Sequence, residues 1–171
     1  MVHENITIRK ELSSMTNEEL MKIAIEESKA NIENNYKNGG PFGAVIVKDG
    51  EIIASAHNTV IESIDATAHA EVNAIRLASK KINTHDLSGC VLYTSAEPCP
   101  MCLSAIIWAN IKEVYYANTK KDAADIGFRD DMIYEYLKGN QKETINLHHM
   151  NSEEAKKVFE EFKNLEGKEM Y

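Results

Sequence analysis

Residues 90–117 read CVLYTSAEPCPMCLSAIIWANIKEVYYA. Cys90 to Ser95 and Lys112 to Ala117 are rich in β-branched and aromatic side chains, which suit the pleated surface of a strand. Pro98 to Ala109 between them has the character of a helix, with prolines where a first turn tolerates a missing amide proton. A strand, helix and strand of this length joins two parallel strands by a right-handed crossover. The expectation is an α/β fold.

Upstream, Thr16-x-x-Glu19 has the form of a capping box, and Leu20, Ile23, Ala24 and Ala30 extend helical spacing to about residue 35. Asn38-Gly39-Gly40-Pro41 breaks that helix. The apolar runs Ala44 to Val47 and Glu51 to Ala56 flank Lys48-Asp49-Gly50, which predicts a tight antiparallel hairpin. A second helix is expected from Ala68 to about Lys80, with Val72, Ile75 and Ala78 on one face. Downstream, short helices are expected at Asp122 to Ile126 and Asp130 to Leu137, and a strand at Glu143 to His148. From Asn151 to Leu165, the side chains Ala155, Val158, Phe159, Phe162 and Leu165 form an apolar stripe to be buried in this subunit or a partner. The sum is a mixed sheet flanked by helices.

The 171 residues suit one domain, and 43% hydrophobic with 27% charged residues is ordinary globular usage. A formal charge of −8 argues against a grip on phosphate backbones and favours a small substrate. No run of about 18 apolar residues is present to span a bilayer, and the polar start Met1-Val-His-Glu-Asn lacks the pattern of a secretion signal, so a cytoplasmic location is expected. Three cysteines, two of them as Cys99-x-x-Cys102, favour metal or redox chemistry over a disulfide framework.

His69-Ala70-Glu71 precedes Pro98-Cys99-Pro100-Met101-Cys102 in the order H-x-E…P-C-x-x-C, a pattern associated with zinc deaminases. Cysteines three apart at a helix start share a face, so both sulfurs can reach one ion at about 2.3 Å. The positive helix end favours thiolate over thiol. Two thiolates and an imidazole make three protein ligands and leave a fourth position open for water, as in catalytic zinc sites. Glu71 stands roughly 200° around the helix from His69, which places it poorly for joint ligation. Its expected role is at the rim, moving a proton from the zinc water to a ring nitrogen and assisting departure of ammonia. Cys90 is read as a buried core thiol. His148 and His149, adjacent on the expected strand, would point to opposite faces and are read as surface or core rather than as a metal pair.

With Asn38-Gly39-Gly40-Pro41-Phe42-Gly43-Ala44-Val45, Asn58, Thr67 to Glu71 and Glu97 to Cys102, the chain resembles the cytidine deaminase-like superfamily. Trp108, Asp122 to Asp131 and the final Lys168-Glu169-Met170-Tyr171 look more closely like its bacterial guanine deaminase branch. The resemblance implies a three-layer α-β-α fold around a mixed five-stranded sheet, and one Zn2+ per subunit held by His69, Cys99 and Cys102. It implies Glu71 and Asp130 as catalytic groups, Asp130 holding or protonating the 2-amino group. Asn58 would bond the purine edge, Phe42 and Trp108 would form walls, and Tyr171 would close the pocket. The implied partner is a small purine base, with no nucleic acid and no membrane. Residues 1–171 would form a single deaminase domain, with 1–15 as an N-terminal extension. The branch further implies a homodimer, in which about 151–171 is a candidate for exchange between subunits.

The reaction expected from this resemblance is hydrolysis of guanine to xanthine and ammonia. A tRNA adenosine deaminase carries the same zinc motif but should bear a basic face. Cytosine or another aminated heterocycle is a further substrate within the enzyme class. A noncatalytic zinc-stabilised binding module is the alternative outside it, and it would have no use for Glu71.

Overall fold

The computed structural model describes residues 15–171. The N-terminal extension expected over 1–15 lies, but for Met15, outside them. In chain order the elements are α1 (Asn17–Ser28), β1 (Gly43–Lys48), β2 (Glu51–His57), α2 (Ala70–Ile82), β3 (Cys90–Ala96), α3 (Pro100–Trp108), β4 (Glu113–Asn118), α4 (Lys120–Asp125), α5 (Asp130–Leu137), a 3-10 turn (Lys142–Thr144) and α6 (Glu153–Asn164).

The sheet runs β2-β1-β3-β4. β1 is antiparallel to both β2 and β3, while β3 and β4 are parallel, as the crossover through α3 requires. Lys48 faces Glu51 across the hairpin, and Asp49 and Gly50 both take positive φ, 49° and 76°. That pair of left-handed residues matches the twist of the strands it joins.

Alternation along the strands divides the core in two. Val45, Val47 and Tyr93 meet Leu20 and Ala24 of α1 on one face. Ala44, Ile46 and Leu92 meet Ala70, Ala74, Ala78 and Ile106 of α2 and α3 on the other. Three layers result. Ile46 and Leu92 are fully buried, each contributing about 1.5–3 kcal/mol relative to exposure. The alanines of α2 recur every four residues, so the helix lies close on β1 and β2, and Glu71 of its first turn reaches Thr94 on β3.

Three expectations change. The sheet has four strands among the described residues, not five. The expected strand at Glu143 to His148 is instead the 3-10 turn followed by irregular chain in which Ile145 and Leu147 are exposed, so the segment buries no apolar face against the sheet. The first helix stops at Ser28 rather than near residue 35, and turns occupy 29–36, where Asn35 and Tyr36 take positive φ. His148 and His149 are exposed on irregular chain, so the opposite-face reading does not apply to them. Cys90 is buried at the start of β3, and burial raises its thiol pKa.

The amphipathic segment forms α6 as its pattern predicts, yet Val158, Phe159 and Phe162 stay exposed. Trp108 on α3 and Tyr115 and Tyr116 on β4 are also exposed. No helix among the described residues is long and apolar enough to cross a membrane.

Candidate active site

Two helix starts converge on one point. His69 is the N-cap of α2 and Cys99 the N-cap of α3, both in extended conformation, while Glu71 and Cys102 occupy the first turns behind them. Pro100 opens α3, and the Cys102 amide donates to Cys99 Sγ at 3.4 Å. The positive ends of both helices therefore face the same small volume, where they favour thiolate.

His69 Nδ1 lies 3.6 Å from Cys99 Sγ and 3.4 Å from Cys102 Sγ. A tetrahedral Zn2+ with ordinary bond lengths would hold such N and S atoms about 3.5 Å apart. The donors also fit chemically, since thiolate and imidazole are a zinc set. All three ligand atoms lie within 4.8 Å of one another, and Glu71 is not one of the group. Cys99 is held down to about 4 by the hydrogen bond with Cys102 and then by His69. Cys102 is pushed up by that same pairing with Cys99 and by burial. His69 is raised, chiefly by its bond with Cys99.

Glu71 is 5% exposed, so it stands on the floor of the site rather than at its rim. The Thr94 hydroxyl donates to Oε1 at 2.7 Å, and Oε2 receives the Cys102 thiol at 3.3 Å. Burial raises its pKa while the Thr94 bond opposes the rise, which leaves a carboxylate ready to take up a proton.

Above this floor is a cavity of about 40 Å3, bordered by Phe42, Asn58, His69, Glu71, Cys99 and Asp130. Asn58, His69 and Phe128 also border a basin of about 630 Å3, lined further by Tyr36, Pro41, Val60, Ile61 and Ile126 among others. Asp130 opens α5, and its pKa is raised first by burial and then by Cys99. Among the described residues Arg129 makes no ion pair with it; its side chain contacts Met132 Sδ instead.

Six of the residues singled out from sequence thus share the cavity, with Cys102 buried beneath. Trp108 and Tyr171 do not reach it. Their rings lie 6.0 Å apart in a separate groove of about 510 Å3 with Ile75, His85 and Ala105, and Glu169 bonds His85 at 2.8 Å.

Two residues of the site were not singled out from sequence. Phe128 borders both cavity and basin, its ring set edge-on to Phe42 at 4.8 Å. Thr94 orients Glu71; a threonine in an apolar strand, five residues before Cys99, was the available signal.

The chain belongs to the zinc-binding deaminase family, for the family model of the cytidine and deoxycytidylate deaminase zinc-binding region matches residues 14–118. Zinc is the cofactor of this site. Within the family, the chain is 50% identical to the guanine deaminase of Bacillus subtilis (strain 168) over 134 residues, covering 78% of this chain and 86% of that protein. The X-ray structure of guanine deaminase from Bacillus subtilis superposes with a TM-score of 0.85 at 45% identity, covering 92% of this chain and 99% of that one. A tRNA-specific adenosine deaminase of Aquifex aeolicus is 45% identical over 107 residues, covering 63% and 69%.

Proposed function

We propose that this chain hydrolyses guanine to xanthine and ammonia. The observation that carries the reading is the cavity, where a metal-donor triad, a buried carboxylate and the purine-contact candidates Phe42, Asn58 and Asp130 meet in one place. The likeness to a guanine deaminase over 134 residues supports the choice of base.

His69, Cys99 and Cys102 hold the zinc. Bound zinc supplies the Lewis acidity that lets water ionise near neutral pH. Glu71, steadied by Thr94, takes the proton of the attacking water, delivers it to a ring nitrogen and then assists the amine as it leaves as ammonia. Asp130 holds or protonates the 2-amino group, and its raised pKa suits a carboxyl that shares a proton. Phe42 forms a wall against the base, and Asn58 bonds its edge.

Trp108 and Tyr171, remote from the cavity of their own chain, would close that of a second copy in a homodimer. Their exposure of 64% and 81%, together with the bare face of α6, supports a partner surface, with about 151–171 the segment that could exchange. Residues 1–171 act as one deaminase domain, with 1–15 an extension, in the cytoplasm.

Ammonia release from guanine, adenine, cytosine, their nucleosides and a tRNA anticodon stem-loop tests the assignment. Guanine should be the preferred substrate of the zinc-loaded protein. A folded, zinc-loaded protein that leaves guanine untouched would sink the reading. The 45% identity to a tRNA adenosine deaminase makes the stem-loop the control that matters, and turnover there would replace guanine with a flipped adenosine.

A further inference from the structure

Asn58 is oriented without any substrate. Its Oδ1 accepts from the Gly40 amide at 3.3 Å and the Val60 amide at 3.1 Å. Two N–H donors on one atom identify that atom as the carbonyl oxygen, so the uncommitted end of the amide is its NH2 group. Asn58 borders both cavity and basin, where that group can serve a ligand.

Asn31, in the turns after α1 and 1% exposed, holds this arrangement from behind. Its Nδ2 donates to the main-chain oxygen of Asn58 at 2.8 Å and to that of Gly40 at 3.2 Å. The Gly40 oxygen also receives the Phe42 amide, and the Phe42 oxygen receives the Asn58 amide. One buried amide therefore ties together both strands of the cavity wall. Packing there is tight: a Cβ on Gly39 would overlap the side chain and main chain of Asn58. Among the described residues the buried Asn31 Oδ1 meets no protein donor.

We infer that Asn31 is a positioning residue, fixing Asn58 with its NH2 toward the cavity so that the site selects a base offering a hydrogen-bond acceptor on that edge. This rests on the assignment of Asn58 to base recognition made above. A ring nitrogen or carbonyl oxygen satisfies such a donor, whereas an exocyclic amine there faces it with a second donor.

The test uses N31L, which keeps the number and branching of side-chain heavy atoms and removes both hydrogen bonds of the Asn31 Nδ2, and the smaller N31A beside it. Both should raise KM for guanine about tenfold while kcat stays within about threefold and one zinc per chain is retained. In an N58A background N31L should add less than about twofold, because the residue it positions is gone. Without substrate, hydrogen exchange at the Gly40 and Val60 amides should quicken in N31L. Unchanged exchange, an unchanged KM, an equal KM effect with and without Asn58, or failure of both variants to fold would each overturn the proposal. If wild-type protein deaminates no guanine, the functional reading falls by itself, and the exchange measurement still decides whether Asn31 positions Asn58.

Discussion

Glu71 and Thr94 set the chemistry at the scale of single residues. On the mechanism proposed above the buried Glu71 moves protons and should not be replaceable by its amide: E71Q is expected to lower kcat by about a thousandfold with zinc content and folding unchanged, measured as ammonia release beside metal analysis. The Thr94 hydroxyl favours the charged form of Glu71. Removing it in T94V raises the carboxyl pKa further, so the acid limb of the kcat/KM profile should move to higher pH. The thiols give a third expectation. The hydrogen bond with Cys102 and then His69 hold the Cys99 thiol down to about 4, whereas the pairing with Cys99 and burial push Cys102 up. Zinc must displace the Cys102 proton and, where the raised pKa of His69 leaves its ring protonated, that proton too, so its apparent affinity should rise by at least about tenfold per pH unit near neutrality. Competition with a chromophoric chelator at several pH values measures that slope. Of these residues, His69, Glu71, Cys99 and Cys102 were legible because their spacing places them in first turns. Thr94, Phe128 and Asn31 act across the fold, and no local spacing announces them.

The elements determine where those residues stand. Asp130 and Phe128 arrive on α4, its following turn and α5, and α4 is held by a capping box in which Thr119 and Asp122 bond each other's amides. The Thr119 amide holds the Asp122 carboxyl below its ordinary pKa. A carboxylate depressed in the folded state stabilises it above the unfolded pKa and loses that contribution as pH falls through the folded one. D122N should therefore be less stable than wild type at pH 7, with the difference vanishing in acid, as read by denaturant unfolding at both pH values. Helix starts and four of the five expected strands were predicted well here, since caps, prolines and alternation are local, whereas the strand expected at Glu143 to His148 did not form. The end of α1 was not, because nothing in Lys29 to Tyr36 forbids another turn of helix. Asn31, bonded to Gly40 and Asn58, belongs to an alternative path that only distant partners reward.

At the scale of the whole molecule, the sheet ends at β4 with Tyr115 and Tyr116 exposed, and α6 carries Val158, Phe159 and Phe162 uncovered. Apolar area of this kind is normally buried by association. If copies pair through it, sedimentation equilibrium should give twice the chain mass, and F159S/F162S should shift the protein toward the mass of one chain. The donor set was readable from sequence alone: Cys99 and Cys102, three apart at a helix start, share a face whatever surrounds them, while the packing of two helix starts against each other brings His69 and Glu71 to them. The strand count, the floor position of Glu71, the pinning of the Asn58 side-chain oxygen by the Gly40 and Val60 amides and the separation of Trp108 and Tyr171 from their own cavity were decided by tertiary structure. Each depends on what packs behind a residue, and sequence spacing carries no information about that.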